Sequence, residues 1–299
     1  MSELILPDII EVPFENKWLD ITTDEYHRDN RAVHSSSLRH VLKSPHAYRH
    51  YIMNPKKPTN SMRFGRIAHE LILEGSKFFD RFVVEPIFEG KTKDGKVTTS
   101  KNALSVQQAE AEWRNSLLPG TEVITQKDLD KLKWMVDSVT SHSFAKDILK
   151  DGVPEAKGVW VDPVTKLRCI FQPDFLSKSV DGLTEFKTTT DCSWYNFRRS
   201  VEDLRYDLQL AFYEEGVFQV TGKRPKHQIW IVTESEPPYE TKVHEVHSCY
   251  RISGNMDLIK ALNDIKHSMK TLNWPQAQNV PEDAPPPSPW FENLYTGRE

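Results

Sequence analysis

Pro173-Asp174 is followed, after a run of strand-like and turn residues, by Glu185-Phe186-Lys187. If Asp174 ends one strand and Glu185 lies on its neighbour, a hairpin brings the two carboxylates together. The two-residue period of a strand puts Glu185 and Lys187 on one face. Two carboxylates beside a lysine suit phosphodiester cleavage. The acids hold a hard divalent cation, and the backbone carbonyl of Phe186 can add an oxygen. The amine orients or helps deprotonate an attacking water and offsets developing negative charge. Taken alone, such a match is common among ordinary surface charges.

Other residues can join this set. Gly65 and His69 sit in RFGRIAHELILEG, whose apolar positions follow helical spacing. A lone helical histidine is more often a satisfied packing residue than a ligand. Glu155 enters the strand that precedes Asp174, where its carboxylate can reach a metal or is merely a solvated strand-end acid. Gln209 and Tyr213, four apart in YDLQLAFYEEG, share one helix face, which otherwise reads as a polar edge beside a buried ring. From Asn30 to His69 there is no acidic residue, whereas Arg49, Lys56, Lys57, Arg63 and Arg66 are among eight basic ones. That stretch attracts polyanions or is simply a solvated surface. Aromatic residues at Trp194, Tyr195 and Phe197, next to Arg198 and Arg199, can stack on a frayed strand, although packing of their helix is the commoner job.

The elements that must position these residues follow from pattern. Ser35 to Ser37 precede a short helix as candidate caps, and Ser44-Pro45 restarts the chain as cap and first-turn proline. Gly75 is placed to end the His69 helix. RFVVEP reads as a strand, and Glu89 to Lys101 as a mobile loop. Helical patterns cover about 103–117 and 126–150, the second opened by Thr125 and Asp128. EAKGVWVD, LRCIFQPDFLS and LTEFKTT read as a meander with short connections. A helical region over about 193–220, strands at HQIWIVT and TKVHEV, and a helix from about Met256 to Leu272 complete the pattern. The expected architecture is an α/β domain over 30–273 with a helical N-terminal cap. An irregular segment (1–29) precedes it and a Pro-rich acidic tail (274–299) follows.

Composition narrows the function classes. With 299 residues, 38% of them apolar, the chain can fill a core and is not wholly disordered. Its net charge of −4 is unlike that of a nucleic-acid coat protein. No apolar run reaches the roughly 18–20 residues of a membrane span, and the acidic N-terminus carries no export pattern. Three scattered cysteines (Cys169, Cys192, Cys249) build neither a disulfide framework nor a zinc site. The expectation is a cytoplasmic protein of a bacterial or phage-infected cell.

Six segments in fixed order, from SSSLRHVLKSPHAYRHY through GRIAHELILEG, the Glu155–Asp162 strand, QPDF, EFKTTTD and the Gln209/Tyr213 helix, resemble the PD-(D/E)xK nuclease superfamily. The chain looks most like the exonuclease VIII, or RecE C-terminal nuclease, family of lambda-exonuclease-like proteins. The resemblance spans roughly residues 30 to 250. It implies a restriction-endonuclease-like core, a central mixed β-sheet flanked by helices. It also implies a metal site at His69, Asp174 and Glu185 with Glu155 near it, Lys187 as catalytic lysine, and Gln209 and Tyr213 lining the site. Mg²⁺ is the implied cofactor, with Mn²⁺ as a substitute, and degradation of double-stranded DNA ends from 5′ to 3′ the implied activity. A ring-shaped homo-oligomer and a single-strand annealing partner in phage-type recombination go with it. The iron–sulfur cluster of one relative needs four cysteines and does not fit. A structure-specific or restriction-type endonuclease, or a catalytically silent module of the same fold that binds DNA or a partner, are the competing readings.

Overall fold

The computed structural model describes residues 15–55 and 57–277. The N-terminal part contains β1 (Lys17–Leu19), α1 (Thr23–Arg28), β2 (Val33–His34), α2 (Ser35–Lys43), α3 (Pro45–Met53) and α4 (Asn60–Glu74). A 3-10 helix (Gly75–Asp80) leads into β3 (Phe82–Val84), the hairpin of β4 (Gly90–Lys91) and β5 (Val97–Thr98), α5 (Leu104–Ser116), β6 (Glu122–Ile124), α6 (Gln126–Ser141) and α7 (Ser143–Ile148). The centre holds β7 (Gly152–Pro154), β8 (Lys157–Val161), β9 (Arg168–Phe171), β10 (Phe175–Ser177) and β11 (Gly182–Thr189). Then come α8 (Trp194–Leu204), α9 (Tyr206–Thr221), β12 (His227–Glu234), β13 (Thr241–Glu245) and α10 (Ser248–Thr271).

Local chemistry sets many of these boundaries. The Ser44 hydroxyl accepts the Ala47 N–H while Pro45 opens α3. Gly75, at φ +58°, ends α4. Thr125 accepts the Asp128 N–H at the start of α6. Other expectations are corrected. Residues 17–28 are not irregular, because a Thr22–Glu25 capping box starts α1 and β1 pairs with β8. Ser35 to Ser37 do not cap α2, whose first residue is Ser35 itself. The 89–101 segment closes into the β4–β5 hairpin. The 126–150 helix breaks at His142, which ends α6 and caps α7. The last helix begins at Ser248, capped by His247. Trp274 belongs to the core rather than to a tail, stacking on Tyr48, and the Pro275 carbonyl accepts the His46 N–H. Residues 1–14, Lys56 and 278–299 lie outside the described residues, so the terminal parts of those expectations stand there.

The sheet is mixed, as expected, but comes in two main pieces, ordered β1-β8-β9-β2 and β13-β12-β11-β10-β7. The meander expectation fails here for a specific reason. β8 pairs with β9 in the first sheet, and β7 pairs with β10 in the second. Together they form one long hairpin that bends between sheets at 155–156 on one arm and 172–174 on the other. The backbone N–H of Glu155 donates to the Asp174 carbonyl at 2.9 Å, tying the two bends together. Glu155 has φ +47°, the left-handed region that non-glycine residues rarely enter. In the second sheet β11 runs parallel to β12 and antiparallel to β10.

Helix α9, apolar on nearly every side, is the central post. It packs on β8 and β9 and against α2 and α10. Its core includes Trp160 and Phe212, with ring centroids 5.6 Å apart. A second apolar cluster lies under α4 and α6, where Ile67 and Leu132 meet Phe186 and Ile231. Among the described residues no helix is long and apolar enough to cross a membrane.

Candidate active site

Register decides the centre of the site. Phe175 pairs with Thr184, so the next pair outward is Asp174 with Glu185. The Asp174 N–H donates to Glu185 Oε1 at 3.1 Å, and the Phe186 N–H donates to Asp174 Oδ2 at 2.7 Å. Glu185 is fully buried, and the side chains of His69, Asp174, Glu155 and Lys187 are 10–16% exposed. Lys187 Nζ donates to Glu185 Oε2 at 2.9 Å and to Gln209 Oε1 at 3.1 Å, over the Tyr206 ring. From α4, the His69 imidazole bridges Asp174 Oδ1 (3.0 Å from Nε2) and Glu155 Oε1 (3.3 Å from Nδ1). His69, Glu155, Asp174, Lys187, Tyr206 and Gln209 line one cavity of about 380 Å³, and Glu185 is buried beside it.

Electrostatics follow from burial and crowding. Burial raises the Glu185 pKa and Asp174 adds to it, which Lys187 only partly offsets, leaving it near 7. Burial opposes charge on His69, but Asp174 and Glu155 outweigh it and hold the ring up at about 10. Burial likewise opposes charge on Lys187, and Glu185 with Asp174 outweighs it, keeping the amine above its ordinary value. Burial would raise Asp174, yet His69 and Lys187 bring it below the usual range.

The donor set fits a divalent cation. Buried acids, two of them bridged by one imidazole, give the hard oxygen ligands and one nitrogen that Mg²⁺ or Mn²⁺ accepts. Asp174, Glu185, His69 and Glu155 would hold the ion, with the Phe186 carbonyl beside them. Among the described residues, the group whose ligand atoms all lie within 4.8 Å of one another is a different one, Cys192, Glu234 and Glu240. There the Glu234 carboxylate accepts the Cys192 and Glu240 N–H groups, and burial pushes the thiol up to about 11. It reads as a clasp on a strand end.

Gln209 also donates to the Tyr213 hydroxyl at 3.1 Å, and the Ser35 hydroxyl donates to that same oxygen at 3.1 Å. Ser35 thus replaces its expected capping role with a buried side-chain bond to the site. Arg66 lines the cavity but is held by Glu122 and Glu70, while Arg63 donates to the Val123 carbonyl. Both pin α4 to β6. Arg49 lies on α3 and Lys57 on the exposed chain after it, away from the cavity lining. Phe197 is buried between Trp230 and His244, Trp194 packs on Trp230, and only Tyr195 is largely exposed. Sequence reasoning missed Thr23, whose hydroxyl donates to Glu155 Oε2 at 3.1 Å, and Tyr26, His27, Gln172 and Tyr206 in the lining. The capping box at Thr22 and Glu25 was the signal that could have revealed α1.

A family model described as a PDDEXK-like domain of unknown function (DUF3799) matches residues 34–280. Among solved structures, the chain is similar to a candidate exonuclease from Eubacterium rectale, at TM-score 0.55 and 10% identity, covering 94% of this chain and 100% of that one. It is also similar to an alkaline exonuclease (LHK-Exo) from Laribacter hongkongensis, at 14% identity and TM-score 0.26, covering 58% of this chain and 86% of that one. Only the first of these similarities speaks to the fold. No curated protein matches the chain.

Proposed function

We propose, from the premise that this chain belongs to the DUF3799 family of PDDEXK-like domains, that it is a Mg²⁺-dependent exodeoxyribonuclease. It degrades linear double-stranded DNA from its ends, from 5′ to 3′, and leaves single-stranded tails for phage-type recombination. The observation that carries the reading is the convergence of His69, Glu155, Asp174 and Lys187 on one cavity, with Glu185 buried against Asp174 and Lys187. Solution mass would test the ring assembly that goes with this reading, and co-purification its annealing partner.

A divalent ion held by these ligands supplies Lewis-acid polarisation of the phosphate and a water nucleophile at neutral pH. The chain's own groups do the rest. His69, freed of its proton, would hold the ion through a ring nitrogen. Asp174 and Glu185 orient the ion's site through the backbone bonds that fix them. Lys187, held protonated by the two acids, enters the site as a cation that neutralises phosphate charge and aligns the water. Gln209 fixes that amine, and Tyr213 with Ser35 fixes Gln209. To serve as general base Lys187 must first lose its proton, which the approach of a cation favours.

Timed digestion of linear duplex labelled at the 5′ or the 3′ end, with Mg²⁺ or chelator, tests the reading. Release of the 5′ label first, abolished by chelator, is expected, with covalently closed circles left intact. Cutting of those circles would replace exonuclease by endonuclease. Absence of all cleavage would favour a silent binding module.

A further inference from the structure

A second cavity, of about 470 Å³, lies between the β8–β9 turn and α10, and no residue lines both it and the catalytic cavity. Its floor is Trp160, Leu258 and Leu262, all buried. Its lips are Val164 of the turn and Ile259 of the helix, 76% and 64% exposed. Ile252 and Met256, 60% and 67% exposed, precede Ile259 at helical spacing and share its side of α10. Single exposed apolar residues are ordinary on a surface, but a stripe of them that runs into a groove marks a binding face. The charged groups at the rim are already paired, Arg251 with Glu214 and Arg224 with Glu215. The groove therefore selects apolar side chains rather than charge.

The chain itself carries a segment of matching chemistry. Trp290-Phe291-Glu292-Asn293-Leu294-Tyr295 lies beyond the described residues and sets one apolar pair before, and one after, two polar residues. Residues 278–289, five of them proline, join it to the described part. That part ends beside α3, where Trp274 stacks on Tyr48 and the Pro275 carbonyl accepts the His46 N–H. From Thr271 back to Ile259, α10 runs about 18 Å at ~1.5 Å per residue. Residues 278–289 can reach about 37 Å at the ~3.1 Å per residue of a proline-rich chain. A short tether holds its end at roughly millimolar effective concentration, well above that of a free second copy in dilute solution.

We propose that residues 290–295 dock in this groove on their own chain, covering Val164, Met256 and Ile259. The groove is then a peptide-binding site, remote from the catalytic cavity and filled in cis. The inference is independent of the nuclease reading, and its test involves no turnover.

Hydrogen exchange read by mass spectrometry on the full-length protein tests it. The wild type is compared with a tail variant, Trp290→Ser with Phe291→Ser, and with two groove variants, Ile259→Asp and Val164→Asp. Both groove positions are largely exposed and lie on separate elements, so neither change should unfold the chain, which thermal melting checks. In the wild type, the amides of 290–295 should exchange about tenfold more slowly than in either groove variant. Those of the β8–β9 turn should exchange about threefold or more slowly than in the tail variant. Exchange of 290–295 at the unprotected rate in the wild type would overturn the docking and leave the groove to another protein. Protection that survives both groove changes would overturn it as well. Co-expressed with the tail variant, the Ile259→Asp chain should keep its 290–295 segment unprotected. Recovered protection there would place the segment on a neighbouring copy and overturn docking in cis.

Discussion

At the residue scale, the protein balances its buried acids with protons when no metal is bound. The His69 ring, held up at about 10, and the Glu185 carboxyl, pushed up to about 7, are both raised above their ordinary values. A raised histidine contributes stability below about pH 6.5 that is lost as pH rises through its folded value. A raised carboxyl contributes below about pH 4.5 and likewise loses its contribution as pH climbs. Both have the same sign, so the chelated protein should lose thermal stability between about pH 5 and 10, and His69→Gln should flatten the high-pH part of that loss. Metal binding must displace the His69 proton. Calorimetry in buffers of different ionisation enthalpy should therefore register proton release, reduced in His69→Gln to the share that Glu185 supplies. Lys187→Ala should lower kcat by about 10²–10⁴-fold, and retained digestion would remove the amine from the chemistry. Asp174, Glu185 and Lys187 were legible in sequence because strand period and register alone bring them together. Glu155 was readable only as an option, since its placement depends on a left-handed φ that its neighbours do not announce.

At the element scale, two glycines set how closely helices approach. A Cβ on Gly65 would lie 3.1 Å from Thr188 Oγ1, so α4 sits as near to β11 as that position allows. Gly65→Ala should shift His69 relative to Asp174 and reduce kcat by about tenfold with little loss of Tm, because small misplacements cost more in chemistry than in packing. Thr188→Ala in the same chain should restore part of the rate. On Gly254 the added carbon would meet the Asp207 carbonyl oxygen at 2.4 Å, between α10 and α9. No side-chain rotation relieves a clash with backbone, so Gly254→Ala should destabilise the fold by about 1–3 kcal/mol in denaturant melts. Most helices were readable from apolar spacing and caps. The division of the meander into two sheets was not. Nothing in LRCIFQPDFLS beyond Pro173 marks the place where pairing changes partner, because partner choice is tertiary.

At the scale of the whole molecule, charge is nearly balanced at −4, and the basic stretch from 30 to 69 is less free than its composition suggests. Arg63 and Arg66 are engaged with β6 and Glu70. DNA binding should therefore fall with salt at a shallow slope, and Arg49→Ala or Lys57→Ala should each reduce that slope by about one. A steep slope unmoved by either change would put the phosphate contacts elsewhere. The bent hairpin carries a last consequence. Its two arms cross between sheets at the residues that bear Glu155 and Asp174, while Glu185 belongs to the second sheet and His69 to α4. An ion gripped there acts as a rivet through the seam. Loading it should slow amide hydrogen exchange in β8 and β9 as well as in β10 and β11, so that catalytic readiness and mechanical stiffness arrive in one step.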